Sequence, residues 1–285
     1  MSTSAPLPAY SSYEHLLVTS PSPLIAHVEI NRPSKLNAFS RPVWLEFGRV
    51  FRQLSADNDV RVVVLSGAGE RAFTAGLDVQ AVGQDPVLAA RAIDVARKAK
   101  GLRSHLEEFQ ESVSSAEKCE KPVICVLHGI SYGLAIDIAC CADIRICASN
   151  TRFSVKEVDA GLAADIGTLA RLPKIVGSAS WVKDVCLSAR DFSAQEALGV
   201  GFVSQVHEGK DKAVQSAVAM AVKLAEKSPV AVQGTKELLN HGRDHAVPDS
   251  LQYTRVWNAA ALQSEDFSHA LMSGLEKTKP RFEKL

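Results

Sequence analysis

Short runs of apolar, mainly β-branched residues alternate along the chain with segments in which apolar residues recur every three or four positions. The first pattern is typical of strands and the second of amphipathic helices. Residues 62–65 are apolar without interruption, which predicts a strand covered on both faces. The predicted strands are 24–30, 60–66, 123–127, 142–147 and 201–206. This alternation predicts an α/β fold.

Predicted helices separate these strands and continue beyond the last of them. They cover residues 42–54, 86–117, 178–187, 194–198 and 212–227. We expect three parts: a flexible arm at 1–23, rich in Ser, Pro and Ala; an α/β core at 24–211; and a helical section at 212–285. Amphipathic helices at the end of a chain are typical of subunit interfaces, and equally of helices that cover their own core.

Composition and charge exclude several classes of protein. The 285 residues include 32 Lys+Arg and 32 Asp+Glu, so the formal net charge is zero. Nucleic-acid-binding domains normally carry a basic excess, because release of counterions from phosphates supplies much of their affinity. No apolar run approaches the roughly 18 residues of a membrane helix, and the six cysteines form no C-x-x-C pair. We expect no nucleic-acid partner, no membrane and no metal site.

Two glycine-containing turns predict backbone donors for an anionic oxygen. Gly76 can adopt a conformation closed to other residues, which turns the amide of Leu77 outward. Gly133 precedes an apolar helix start, so the amide of Leu134 is an unpaired N-terminal donor. Two convergent amides stabilise negative charge that develops on an oxygen. Either turn by itself is also consistent with a plain structural role.

Three acidic residues lie in apolar surroundings. Asp137 stands about one turn inside the helix that follows Gly133, Asp165 lies between apolar residues and glycines, and Glu157 precedes it by eight positions. Burial raises the proton affinity of a carboxylate, so two such groups can divide general acid and base roles near neutral pH. Their residue types alone also fit a helix cap at Asp165 and a surface ion pair at Glu157.

In this order and spacing the segments resemble the enoyl-CoA hydratase/isomerase (crotonase) family over residues 16–282. The motifs that carry the resemblance are Asn31-Arg32-Pro33, Phe73-Thr74-Ala75-Gly76-Leu77-Asp78, Ala142-Asp143-Ile144-Arg145 and Lys277-Thr278-Lys279-Pro280-Arg281-Phe282. The resemblance implies a spiral of ββα units whose C-terminal helices assemble trimers or dimers of trimers. It implies an acyl-CoA thioester as substrate, with no cofactor besides this coenzyme A.

The resemblance also assigns roles to individual residues. The amides of Leu77 and Leu134 would hold the thioester oxygen. Coenzyme A would be bound by two loops and by the C-terminal segment. The residues assigned to this binding are Lys35, Asn37, Ala38, Ala75, Gly76, Asp78 and Lys277.

The acidic residues narrow the reaction within the family. Hydratases of the family have glutamates at the positions of Asp137 and Glu157 and glycine at that of Asp165, whereas the pattern here resembles the Δ3,5-Δ2,4-dienoyl-CoA isomerases. This resemblance implies conversion of a 3,5-dienoyl-CoA into a 2,4-dienoyl-CoA during fatty-acid β-oxidation. We assign Asp165 as the base at C2, Glu157 as the acid at C6, and Asp137 as the group that orients or tunes them.

Two other functions remain open. Water addition to a 2-enoyl-CoA would use Glu157 and leave Asp165 without a role. A catalytically silent acyl-CoA-binding scaffold is the other alternative, because Leu134 and Ala135 stand where the family usually has glycines and Tyr132 replaces a smaller residue.

The sequence also gives an expectation for the compartment. No arginine precedes Arg32, which argues against a mitochondrial presequence, and no secretory signal pattern is present. The terminal Glu283-Lys284-Leu285 differs at one position from the peroxisomal Ser-Lys-Leu signal. We expect the peroxisome, with the mitochondrion or cytoplasm as alternatives.

Overall fold

A mostly parallel main sheet forms the centre of the protein. The computed structural model describes residues 7–84 and 94–285. The main-sheet strands are β1 (Leu16–Ser22), β2 (Ile25–Ile30), β3 (Val62–Gly67), β5 (Val123–Leu127), β7 (Ile144–Ala148) and β10 (Gln205–His207). They pair in the order β1-β2-β3-β5-β7-β10, antiparallel between β1 and β2 and parallel elsewhere. Every residue of β3 and β5 is buried, as their apolar runs predict.

A second, small sheet lies beside the main one. Its strands are β4 (Ala72–Thr74), β6 (Ile130–Tyr132), β8 (Arg152–Ser154) and β9 (Phe192–Ser193), paired in the order β4-β6-β8-β9. Each of the main-sheet strands β3, β5 and β7 is followed by a small-sheet strand and then by a helix. The result is the predicted spiral of ββα units. Strands of two or three residues are too short to show periodicity, so the sequence did not reveal the small sheet.

Helices enclose both sheets. They are α1 (Arg41–Ala56), α2 (Val79–Val82), α3 (Val95–Lys118), α4 (Leu134–Cys141), α5 (Thr168–Ile175), α6 (Ala179–Ser188), α7 (Ala194–Gly199), α8 (Gly209–Ala225), α9 (Pro229–Asp244), α10 (Val247–Ala261) and α11 (Glu265–Glu276). The predicted helix at 86–117 is observed from Val95; its positions 86–93 lie outside the described residues. No helix in the described part of the chain is long and apolar enough to cross a bilayer.

The N-terminal segment differs from the expected arm. Strand β1 pairs with β2 along the edge of the main sheet, and Leu16 and Val18 are buried in the core. The hydroxyl of Tyr10, also buried, donates to Asp57 at 2.7 Å. The expectation of a flexible arm is therefore wrong for residues 7–23, because their apolar side chains gain enough burial to order a Ser/Pro-rich segment.

The expected boundary at residue 212 falls inside α8. Small side chains on one face of α8 let it pack closely on the main sheet, where it covers Ile25, Val62 and Val64. The buried residues of this face include Ala213, Ala217 and Ala221. Helix α8 thus belongs to the core, and the separate helical section comprises α9 to α11. Pro229 and Pro248 lie in the first turns of α9 and α10, where a missing N–H costs no helical hydrogen bond.

Candidate active site

Three turns meet at one edge of the small sheet. Gly76 and Leu77 follow β4, Gly133 follows β6, and Glu157 follows β8. Because β4, β6 and β8 are parallel neighbours, their carboxyl ends lie at the same edge. The sheet topology therefore brings together the two predicted oxyanion turns and one of the predicted carboxylates.

The amides of Leu77 and Leu134 face a common space. The carbonyl of Gly76 and the amide of Asp78 both bond to the backbone of Phe39, so the intervening amide of Leu77 points to the opposite side. Leu134 lies on that side, since its nitrogen is 3.8 Å from the position that a Cβ on Gly76 would occupy. Leu134 begins α4, so its amide has no acceptor within the helix.

Both turns depend on glycine backbone conformations. The φ angle is +96° at Gly76 and +54° at Gly133, a region that side-chain-bearing residues rarely adopt. The side chain of Leu134 is 3% exposed and packs into the core, away from the space that its amide faces. The ring of Tyr132 lies at the surface, where its hydroxyl donates to Asp191 at 2.6 Å. These two departures from the family pattern thus leave the donor amides open.

Asp137 is buried and held from a distant part of the chain. Its side chain lies in the first turn of α4, and its Oδ1 accepts hydrogen bonds from the amide and the hydroxyl of Thr168 at 2.7 and 2.8 Å. Burial raises the pKa of Asp137 to about 6, although the two bonds from Thr168 act in the opposite direction. Sequence reasoning missed Thr168, because 31 positions separate it from its partner.

Glu157 lies beside the oxyanion turn. Its Oε1 is 3.3 Å from the position that a Cβ on Gly133 would occupy, and its Oε2 is buried with no hydrogen-bond partner among the described residues. Burial, and then the charge of Asp137, raise the pKa of Glu157 to about 7. A group with this pKa is about half ionised at neutral pH. Burying a carboxylate oxygen without a hydrogen-bond partner costs folding free energy. The unpaired oxygen of Glu157 therefore indicates a group that interacts with a ligand.

Asp165 completes the group of carboxylates. Its side chain is half-buried in the loop before α5, and burial raises its pKa. Its charge raises the pKa values of both Asp137 and Glu157, so the three carboxylates lie within electrostatic reach of one another. The structure thus brings the three predicted acidic residues together, 28 positions apart along the sequence at the extremes.

The side chain of Asn37 has a structural role. It is fully buried, its Nδ2 donates to the carbonyls of Ala68 and Ala72 at 2.9 Å each, and its Oδ1 accepts from the amide of Arg32 at 2.9 Å. These bonds attach the loop before α1 to the turn between β3 and β4. The backbone of Asn37 is used as well, because its amide donates to the Arg32 carbonyl at 2.9 Å and its carbonyl accepts from the Thr74 hydroxyl at 2.8 Å. The structure therefore gives Asn37 a structural role and does not support its expected contact with coenzyme A.

The other residues expected at coenzyme A lie in two loops joined by Arg32. The Arg32 guanidinium bonds to the carbonyl of Ala38 and to the Asp78 carboxylate, the latter at 3.3 Å. The amide of Ala75 donates back to the first loop at 3.0 Å. Lys35 is exposed next to them, with its Nζ 3.4 Å from Gln80. The two loops are thus held together beside Leu77. Their binding of coenzyme A stays a prediction.

Lys277 is not brought to these loops within one chain. The segment after α11 is anchored by Arg61, which donates to the carbonyls of Phe282 at 2.7 Å and Ala225 at 2.9 Å. Arg61 precedes β3, whereas the oxyanion and loop residues follow the carboxyl ends of the strands. No hydrogen bond or ion pair joins Lys277 to these loops within the described part of the chain, so its contact with coenzyme A stays a prediction.

Within the described residues, neither a metal-binding group nor an exposed thiol accompanies the carboxylates. No three His, Cys, Asp or Glu side chains within residues 7–84 and 94–285 are grouped to hold a metal ion. All six cysteines are buried and unpaired, and burial raises the pKa values of their thiols. They are core residues.

Comparisons with known proteins agree with this architecture. Residues 22–284 match the enoyl-CoA hydratase/isomerase family. The human mitochondrial Δ3,5-Δ2,4-dienoyl-CoA isomerase is 44% identical over 93% of this chain and 80% of its own length, and the peroxisomal enzyme of that name from Arabidopsis thaliana is 39% identical over 92% and 93%.

A solved structure supports the same assignment. A putative enoyl-CoA hydratase from Streptomyces coelicolor superposes with a TM-score of 0.86 at 28% identity, covering 99% of this chain and 98% of its own. The predicted crotonase spiral is thereby confirmed. The chain belongs to the enoyl-CoA hydratase/isomerase family.

Proposed function

We propose that the protein is a Δ3,5-Δ2,4-dienoyl-CoA isomerase that acts in the β-oxidation of unsaturated fatty acids. The observation that carries this proposal is the convergence of Asp137, Glu157 and Asp165, each with a raised pKa, beside the amides of Leu77 and Leu134. Relatives at 39 and 44% identity bear the name of this activity.

The first step removes a proton from C2 of the 3,5-dienoyl thioester. The electron pair left behind spreads onto the thioester oxygen and along the chain to C6. The amides of Leu77 and Leu134 stabilise the oxygen, and each such donor is worth about 3 to 4 kcal/mol. The reaction therefore needs one ionised carboxylate near C2 and one protonated carboxylate near C6.

The geometry favours Glu157 as the group nearer C2, the opposite of the direction expected from the sequence. C2 is bonded to the thioester carbon, so it lies close to the oxyanion amides, and Glu157 is the carboxylate that contacts the Gly133 turn. Position comes before pKa in choosing a base. With a pKa of about 7, Glu157 is ionised often enough to accept the proton.

Asp165 then delivers a proton to C6. Burial raises its pKa, which makes its protonated form more accessible than that of a free aspartate, and its half-buried position allows exchange with water. After one turnover Glu157 holds the proton from C2 and Asp165 is ionised. The resting state returns when Glu157 loses this proton to solvent and Asp165 regains one, so the charges balance over the cycle. Asp137 does not exchange a proton with substrate in this scheme; its charge adds to burial in raising the pKa of Glu157.

Incubation with a 3,5-dienoyl-CoA tests the proposal, because the conjugated product is followed by its ultraviolet absorbance. We expect conversion to the 2,4-dienoyl-CoA and slow hydration of a matched 2-enoyl-CoA. Hydration without isomerisation would favour the activity named for a 31% identical relative, the short-chain-enoyl-CoA hydratase of Clostridium acetobutylicum. Binding of acyl-CoA without turnover of either substrate would favour a silent scaffold.

We also propose that the protein assembles as a trimer or a dimer of trimers. Helices α10 and α11 bury no residue within the chain and carry exposed apolar side chains. These side chains include Val247, Leu251, Val256, Phe267, Leu271 and Leu275. Sedimentation equilibrium tests this assembly; a monomer at micromolar concentration would refute it.

For the compartment we propose the peroxisome. Relatives with this name are mitochondrial in human and peroxisomal in Arabidopsis thaliana, so the family occupies both. Microscopy of the chain with an N-terminal fluorescent tag tests the proposal, and a mitochondrial or cytoplasmic signal would contradict it.

A further inference from the structure

Three helices that are distant in the sequence meet at one partly buried carboxylate, which is not one of the three carboxylates of the candidate active site. Glu117 near the end of α3 accepts from Arg171 of α5 at 2.8 and 3.1 Å and from Arg243 of α9. Arg171 also donates to the hydroxyl of Ser114 at 2.9 Å. The side chains of the three charged residues are 14 to 26% exposed, so this is not a solvated surface pair.

The guanidinium of Arg171 lies directly against the loop before α5 that carries Asp165 and Gly167, called here the catalytic loop. A Cβ added to Gly167 would collide with Arg171 Nη1, so the guanidinium occupies the space that glycine leaves open. Gly167 stands between Asp165 and Thr168, the residue that holds Asp137. Arg171 thus supports a loop that carries Asp165 and leads to Thr168, which holds Asp137.

We propose that Arg171, held in place by Glu117 and Arg243, is a positioning residue for the proton donor Asp165 and for Asp137. This inference rests on the proposed function. It makes helix α9, at the start of the C-terminal helical section, part of the support of the active site. Arg171 is not a catalytic residue in this account, because it acts through the loop and through its charge.

The pKa of Asp137 distinguishes an electrostatic role of Arg171 from a merely structural one. The charge of Arg171 lowers the pKa of Asp137, while the charge of Asp165 raises it. The ionisable groups in electrostatic contact with Asp137 are Glu157, Asp165, Arg171 and the thiols of Cys140, Cys141 and Cys186. Loss of the arginine charge raises the pKa of Asp137, so Asp137 is neutral more often and raises the pKa of Glu157 less. The acid limb of the pH profile, which follows Glu157, then shifts to lower pH.

The test compares Arg171→Gln, Arg171→Lys and Glu117→Gln with a matched control, Lys236→Gln. Lys236 lies on the same helix as Arg243 and forms another buried ion pair, at 2.8 Å with Asp143, away from the catalytic loop. Its loss destabilises the attachment of α9 without touching Gly167. The readouts are thermal unfolding, kcat and KM on a 3,5-dienoyl-CoA across pH, and a ¹³C NMR titration of the Asp137 carboxyl.

We expect Arg171→Gln and Glu117→Gln to lower kcat about 10- to 100-fold with KM nearly unchanged, because a misplacement of about 1 Å costs rates of this order. Arg171→Lys should restore part of kcat and the pH profile. Lys236→Gln should lower the unfolding temperature but keep the pH profile.

Two outcomes would overturn the inference. One is an Arg171→Gln variant that loses stability alone, with the kcat and pH profile of Lys236→Gln. The other is an unchanged Asp137 titration in Arg171→Gln. The titration needs no turnover, so it tests the network even where a wild-type protein without isomerase activity refutes the proposed function.

Discussion

Replacing Asp137 by asparagine should make the protein more stable at pH 8 while impairing its chemistry. The carboxylate is 1% exposed, and burial raises its pKa from the ordinary 3.8 to about 6. The folded state therefore binds this proton more tightly than the unfolded state does. Stability from this group is greatest at low pH and is lost as the pH rises from about 4 through 6.

The pKa values set the size of the effect. A rise from 3.8 to about 6 corresponds to about 3 kcal/mol of destabilisation once the group is ionised in both states. Asparagine keeps an oxygen that accepts both hydrogen bonds from Thr168, and it carries no charge. The variant should gain about 1 to 3 kcal/mol at pH 8, and by linkage the gain should be about 2 kcal/mol smaller at pH 4.5.

Urea unfolding of both proteins at pH 8 and pH 4.5 measures this difference. One subunit concentration must be used throughout, because assembly is linked to folding. The same variant should lower the pH midpoint of the acid limb of activity, because the charge of Asp137 raises the pKa of Glu157. A stability difference that is the same at both pH values would refute the reasoning.

Three further substitutions test other parts of the account. Asp165→Asn should lower kcat about 10²- to 10⁴-fold with an unchanged circular dichroism spectrum; wild-type turnover would contradict the role of Asp165. Asn37→Ala should lower the free energy of unfolding by about 2 to 4 kcal/mol, since three hydrogen bonds are lost, and a raised KM at unchanged stability would restore a direct ligand contact. Gly133→Ala should lower kcat about tenfold through strain at φ +54° and crowding of Glu157. Gly161→Ala, with φ +80° and no neighbour within 4 Å, is its matched control and should cost stability without a comparable loss of kcat.

The sequence predicted those parts of the fold in which a local pattern and the final environment agree. The apolar run 62–65 is a buried strand because parallel strands are covered on both faces. Strand β1 escaped prediction because its Ser and Pro residues resemble those of a loose segment, whereas pairing with β2 decides its structure. The small-sheet strands escaped because three residues hold too little pattern to read.

The sequence predicted the acidic residues of the site but not the residues that hold them in place. Asp137, Glu157 and Asp165 stand out as acidic residues among apolar ones, so their candidacy follows from the cost of burial. The partners Thr168 and Arg171 carry no such local signal. Their roles arise only when α5 packs against α3 and α4, which is a property of the tertiary structure.

A single turnover in D₂O, with enzyme in excess over a 3,5-dienoyl-CoA, tests the two-carboxylate mechanism most directly. Asp165 carries a deuteron from solvent and Glu157 takes the C2 proton, so NMR of the product should show a 2,4-dienoyl-CoA with one deuterium at C6. A product in which C6 has gained the hydrogen from C2 and no deuterium would show that one group transfers the proton, and it would contradict the two-carboxylate mechanism. A water adduct in place of the diene would contradict the isomerase itself.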